Sequence, residues 1–174
     1  PTYKRKTQLE FEIRKVERRT WASFAPIHYM TEVLPGGLGF YYGLFHKGIQ
    51  IGFLSFHNYV PHRKGATLIL HGSRIVLRPD YAGFGLSVPF LNACCKHLME
   101  SLKCEIRTTS SSVPMMKVQI KDPRWELIET KRIIGKQLTG KMRLNSHDSK
   151  IFSRLKKRDS FRKDTVIFRF QWIG

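Results

Sequence analysis

Two periodicities organise the hydrophobic positions of this chain, and the clearest stretch is helical. Leu91, Cys94, Cys95, Leu98, Met99 and Leu102 recur at i, i+3, i+4, i+7, i+8 and i+11, the stripe of an amphipathic helix. Pro89 suits the first turn of that helix, where a missing N–H costs nothing. Residues 66–77 (ATLILHGSRIVL) read as a long strand in which His71-Gly72 is a candidate bulge. Residues 104–109 (CEIRTT) read as another strand, so 74–109 forms a strand–helix–strand crossover and implies parallel pairing. Upstream, 8–16 alternates as a strand. Residues 19–30 place Trp21, Phe24, Ile27 and His28 near one helical face, interrupted by Pro26. Leu34-Pro35-Gly36-Gly37 is a turn, and GFYYGLFHKGIQIGFLSFHNYV reads as a hairpin turning at His46-Lys47-Gly48. Pro61 to Gly65 is a basic loop. Downstream, a serine-rich loop (Ser110 to Ser112) leads into a short helix with Pro114 at its start. An extended piece opens at Trp125, a weakly periodic basic stretch covers 135–163, and Thr165–Ile173 is a terminal strand. The order predicts an α/β fold with a mixed, twisted sheet flanked by helices.

Length and composition narrow this picture. A chain of 174 residues predicts one domain, 1–174, large enough to hide roughly 70% of its unfolded surface. No apolar run approaches the ~20 residues of a membrane span. The opening PTYKRKTQLE lacks a secretory pattern. Cys94, Cys95 and Cys104 are odd in number, and two are adjacent, which argues against a disulfide framework and for a reducing, cytoplasmic setting. Cys94-Cys95-Lys96-His97 matches no common zinc spacing, and both thiols fall on the buried stripe, so no metal site is expected. Oligomeric state is left open, a homodimer included.

Charge changes the picture most. The net charge of +18 exceeds what solubility asks for and points to a polyanion, nucleic acid above all. The basic C-terminal region, 131–174, carries 13 Lys/Arg against 3 Asp/Glu.

The junction RIVLRPDYAGFGLSVPFL (74–91) carries the candidate chemistry. An apolar strand end meets a turn with Gly83 and Gly85, and a helix follows. A helix N-terminus offers unpaired N–H groups and partial positive charge. Glycines before it let a phosphate approach the backbone of Gly83, Phe84, Gly85, Leu86 and Ser87. The same glycines also serve a tight ligand-free turn. No Gly-Lys-Ser/Thr follows, which excludes a P-loop, and Val88 breaks a full G-x-G-x-x-G.

The stretch from Val76 to Gly85 reads V-x-x-P-x-Y-x-G-x-G. It resembles the acyl-CoA-binding motif of the GNAT N-acetyltransferase superfamily, and the element order agrees over roughly residues 8–128. Trp21 with His28-Tyr29, the run Arg74 to Tyr81, and Thr108-Thr109-Ser110 followed by Trp125 further resemble a phage and mobile-element subgroup, to which Mom-type DNA-modifying proteins are related. The motif's first position is Asp80 rather than Gln or Arg, so Asp80 is expected to point away from a diphosphate, capping the turn or pairing with Arg78.

The resemblance implies an acyl-CoA-dependent N-acyltransferase. Acetyl-CoA would lie between the strand ending at Leu77 and the strand at 104–109, its pantetheine arm on the backbone of Val76, Leu77 and Arg78 and its diphosphate on Gly83 to Ser87. A backbone N–H near Val76–Leu77 would stabilise the oxyanion. His28 is the first candidate base, since its ordinary pKa lies near working pH; it reads equally well as a packing histidine. His71 is the second candidate base. Tyr29 could position substrate or pack. No tyrosine follows Tyr81, so the thiolate's usual proton donor is missing, and Ser110, Ser111, Ser112 or water would substitute. A serine cluster also suits plain turn chemistry. The acceptor is expected to be nucleic acid or an amine carried on it, with Tyr41, Tyr42, Phe56 and Tyr59 as candidate stacking rings. The competing readings are a non-catalytic basic nucleic-acid-binding module and an N-acetyltransferase for a small molecule or protein.

Overall fold

A computed structural model describes residues 9–28, 33–58, 67–133 and 165–174. Among the described residues, seven strands and two helices follow one another as β1 (Glu12–Lys15), β2 (Gly39–His46), β3 (Ile49–His57), β4 (Ile69–Leu77), α1 (Ser87–Leu102), β5 (Glu105–Ser110), α2 (Val113–Lys121), β6 (Trp125–Ile133) and β7 (Thr165–Trp172). They form a single sheet in the order β1-β2-β3-β4-β5-β7-β6. The expected mixed α/β architecture is present: β4 and β5 pair in parallel across α1, and the other neighbours are antiparallel.

The hairpin turns where the sequence places it. Lys47 (φ 50°) and Gly48 (φ 76°) both adopt left-handed backbone, the requirement of a two-residue turn that matches strand twist. The edge strand β1 is exposed throughout, and its Glu12–Arg14 ion pair places charge on an edge that could otherwise recruit another strand.

Alternation sorts the side chains. Tyr42, Leu54, Phe56, Leu70, Ile106 and Phe170 project to the face covered by α1, whose Phe90, Leu91, Cys94, Cys95 and Leu98 complete the main core. Tyr42 and Phe56 are therefore buried, not available for stacking; Tyr41 faces the opposite side, half-buried, and Tyr59 lies outside the described residues. On that opposite face a smaller core joins Phe53 and Val76 to Trp21, Phe24, Ala25 and Leu34. Trp21, Phe24 and Ala25 do not form the helix expected over 19–30. Two 3-10 turns, Arg18–Ser23 and Ala25–Ile27, replace it. Pro26 has no N–H to continue a helical ladder, and Glu17 offers no side-chain cap at the start.

A polar bracket fixes α1 against the far end of α2. The Trp125 indole N–H donates to Asn92 Oδ1 at 2.7 Å, and Asn92 Nδ2 donates to Asp122 Oδ2 at 2.8 Å. Arg124 grips the same carboxylate through two bonds, and its guanidinium lies over the Trp172 ring. Arg124 is the first cause that holds the Asp122 carboxyl down to about 2. Among the described residues no helix is long and apolar enough to cross a membrane. The basic stretch 135–163 lies outside the described residues.

Candidate active site

The site begins with a mismatch between two strands. β4 pairs with β5 only from Ile69 with Glu105 to Gly72 with Thr108. Beyond that point β4 continues to Leu77 along β3, and β5 continues through Thr109 and Ser110 along β7. A bulge sits at the parting: Ser55 opposes Arg74 and Phe56 opposes Gly72, which leaves Ser73 as the extra residue. The expected bulge is displaced by one position, from His71-Gly72 to Ser73. A bulge bends its strand and ends regular pairing, so β4 and β5 no longer pair beyond it. Gly72 is small for a local reason, since a Cβ there would sit 3.0 Å from the Thr108 methyl.

The free edge of β4 has a definite polarity. Arg78 N–H donates to Ile51 O on β3 at 2.8 Å. Backbone groups alternate sides along a strand, so those of Val76 also point to β3 and those of Ile75 and Leu77 point into the opening. Of the two expected oxyanion donors, the structure brings Leu77 to the opening and turns Val76 away. The Val76 side chain packs into the smaller core.

The glycine turn closes one end of the opening. A 3-10 turn, Pro79–Tyr81, leads to Gly83 (φ +85°) and Gly85 (φ +72°), and among the described residues no atom beyond the chain neighbours lies within 4 Å of a Cβ built on either. Both glycines are thus needed for backbone conformation, not for packing room. Tyr81 anchors the turn through its hydroxyl, 2.8 Å from His46 Nδ1. Leu86 precedes α1 without a side-chain cap, and Phe90 N–H is the first to find the helix's own carbonyl, on Leu86. Among the described residues nothing accepts from the N–H groups of Gly85, Leu86, Ser87 or Val88. Residues 82–85 are exposed. This uncapped, side-chain-poor helix start fits an anionic group such as a diphosphate. Asp80 neither caps α1 nor pairs with Arg78: the Arg78 guanidinium donates to Gln50 O at 2.8 Å and lies over the Phe24 ring.

The candidate catalytic side chains are spread. His28 closes the second 3-10 turn, half-buried, with its ring 5.5 Å from Trp21. Burial, reinforced by the Arg74 charge, pushes it down to about 4, so it is neutral at physiological pH. Tyr29 lies outside the described residues. His71 precedes the parting, opposite Arg107, and burial with the Arg107 and Arg169 charges lowers it. Ser110 ends β5, and its hydroxyl accepts from Ser112 N–H at 3.0 Å. Ser112 in turn caps α2 by accepting from Met115 N–H. These two serines are thus held in turn and cap chemistry.

Sequence reasoning missed a polar row beside the bulge. Ser55 and His57 on β3 face the same side as Arg74 and His71 on β4, their cross-strand partners. Ser55 and His57 are wholly buried, and His57 lies edge-on to Tyr41 at 5.5 Å. Burial first, then Arg18 and Arg74, lowers His57 to about 4. The signal was present in FLSFH, where every second residue after Phe53 is polar in an otherwise apolar strand. Arg74 and Arg18 also hold the chain that leads into β2: Arg74 donates to Val33 O, and Arg18 to Leu34 O and Pro35 O.

No family model matches the chain, and no curated protein matches it. Solved structures do. A GNAT family acetyltransferase from Elizabethkingia anophelis with acetyl-CoA bound is similar over 91% of this chain and 96% of its own, at TM-score 0.57 and 10% identity. A Bacillus subtilis acetyltransferase in complex with CoA covers 93% of this chain and 97% of its own, at TM-score 0.58 and 9% identity. An IAA acetyltransferase from Bacillus cereus covers 93% and 99%, at TM-score 0.52 and 10% identity. At these identities the likeness is one of fold, and the fold is that of the GNAT acetyltransferases.

Proposed function

We propose that the protein is an acyl-CoA-dependent N-acyltransferase that passes an acetyl group from acetyl-CoA to an amine on, or presented by, nucleic acid. One observation carries the reading: β4 and β5 part at Gly72 and Thr108, and the free edge of β4 leads directly to the uncapped N–H groups of Gly85 to Val88. A strand edge pairs with the amides of a pantetheine arm, and the helix start takes a diphosphate. Gly83, Phe84, Gly85, Leu86 and Ser87 would hold the diphosphate, and Leu77 with Arg78 would line the arm's entrance.

In the reaction the amine nitrogen attacks the thioester carbonyl, the C–S bond breaks, and the amine loses a proton. The N–H of Leu77 is directed into the opening and is suited to the developing oxyanion. His28 is neutral and can accept the amine's proton. A base of such low pKa cannot strip an alkylammonium at useful rates, but an exocyclic nucleobase amine is already neutral in water. Its proton becomes acidic only once the new C–N bond forms, which a weak base can serve. A nucleobase acceptor must also have left its stack.

Charge supports the same acceptor. The connection between β6 and β7 contains most of the basic C-terminal region, and it leaves and rejoins the sheet at Ile133 and Thr165. β7 runs past Ser110, so these points lie at the end of the sheet toward which the β4–β5 opening faces. Long-range attraction from this region would draw in a polyanion, with affinity that falls steeply as salt rises. The test is incubation with acetyl-CoA and single-stranded DNA, RNA or free nucleosides, followed by mass spectrometry of each component. An acetyl mass added to the nucleic acid supports the reading, and labelling of none of them refutes the acceptor.

A second reading, a non-catalytic acyl-CoA-fold module that binds nucleic acid, has one observation in its favour. α2 contains no tyrosine, and the Ser110 and Ser112 hydroxyls already accept from backbone N–H groups of the turn, so the usual phenolic proton donor for a thiolate is missing near β5 among the described residues. Saturable acetyl-CoA binding separates the two readings, since the module predicts none.

A further inference from the structure

We propose that Phe84 is the platform on which the adenine ring of acetyl-CoA stacks. This rests on the acyl-CoA reading above and extends it to the nucleotide half of the molecule. Phe84 is 66% exposed, the most exposed large apolar side chain and the only aromatic among those left open in the described residues. It stands between Gly83 and Gly85, both left-handed, and among the described residues neither has an atom beyond its chain neighbours within 4 Å of its Cβ position. The ring is therefore presented on an exposed turn, two-thirds open to solvent.

Position decides what such a ring could meet. The N–H groups of Gly85 to Val88 begin one residue after Phe84. A diphosphate seated on them has two ends. One must run inward, along the free edge of β4, because the thioester has to reach the opening. The other must leave outward, past the turn, and Phe84 is what the turn presents there. A flat heteroaromatic ring stacks on a phenyl face whichever base it is, and the contact also withdraws an exposed apolar surface from water. Neither the helix start nor the glycines require an aromatic residue between them. Any side chain that tolerates the turn would serve the diphosphate alone.

The experiment compares two probes on three proteins by isothermal titration. The probes are acetyl-CoA and S-acetyl-4′-phosphopantetheine, which keeps the thioester arm and one phosphate but lacks the adenosine. The proteins are wild type, Phe84→Ala and Phe84→Trp. Phe84→Ala is expected to weaken acetyl-CoA by roughly tenfold, within the range for a base on an aromatic ring. It should leave the truncated probe unchanged. Phe84→Trp should keep acetyl-CoA affinity and show tryptophan quenching on binding that the truncated probe does not produce. If Phe84→Ala binds acetyl-CoA as wild type does, or loses both probes equally, the stacking role is overturned while the acyl-CoA reading stands. If wild type binds neither probe, the acyl-CoA reading fails and the stacking role fails with it.

Discussion

Gly85 and Gly48 offer a matched pair. Each has a left-handed backbone, at φ +72° and +76°, and among the described residues nothing beyond its chain neighbours lies within 4 Å of its Cβ position. Replacing either with alanine adds a methyl group to open space, so the only intrinsic penalty is conformational, about 1–2 kcal/mol for an L-residue in the left-handed region. The two sites differ in what depends on them. Gly48 turns the β2–β3 hairpin, whereas Gly85 aims the first N–H groups of α1. If Gly85→Ala escapes its strain by rotating to negative φ, at least one of those N–H groups swings off a bound diphosphate. A hydrogen bond to a charged partner contributes about 1.5–3 kcal/mol, so the loss is roughly tenfold to a hundredfold in acetyl-CoA affinity. Thermal melting and acetyl-CoA titration of both variants form the assay. Gly48→Ala should lose stability without losing binding, and Gly85→Ala should lose binding whatever its stability. Full acetyl-CoA affinity in Gly85→Ala, or an equal loss in Gly48→Ala, would refute the reasoning.

Two further outcomes concern stability. Asn92→Ala leaves the buried Trp125 N–H without its acceptor and Asp122 without one donor, and it should cost about 2–4 kcal/mol in urea unfolding; a loss below about 1 kcal/mol would show that the bracket is dispensable. His28 and His57 are both held near 4, below the ordinary 6.5, so between these values the unfolded chain binds protons that the folded chain does not. Stability should therefore be full above pH 6.5 and fall as pH drops toward 4. His28→Gln should flatten part of that fall, and a profile already flat in wild type would contradict the burial of both rings.

The parts of this fold that were legible in the sequence depend on neighbours along the chain. The α1 stripe from Leu91 to Leu102 needed only a 3.6-residue period, and the hairpin needed only Lys47-Gly48 between two β-rich runs. The glycine turn was legible because Gly83 and Gly85 separate a strand from a helix. The illegible parts depend on partners far away. The bulge at Ser73 is a property of β4 measured against β3, and β4 alone could not place it between Gly72 and Arg74. The insertion of β7 between β5 and β6 joins Thr108 to Phe170, across a long separation that no local pattern reports. Periodicity misread 19–30, because Trp21, Phe24 and Ala25 are held by the sheet beneath them rather than by a helical ladder that Pro26 breaks. FLSFH carried only half of the polar row; that Ser55 and His57 face Arg74 and His71 became visible only once β3 and β4 were in register.

The central claim is that the parting of β4 and β5 and the glycine turn together hold acyl-CoA. A crystal structure grown with acetyl-CoA tests it most directly. The account expects the diphosphate within about 3 Å of backbone N–H groups between Gly83 and Val88, with the pantetheine arm running beside Ile75 and Leu77. A diphosphate seated elsewhere on the molecule, or an arm that does not enter between the two strands, would contradict it.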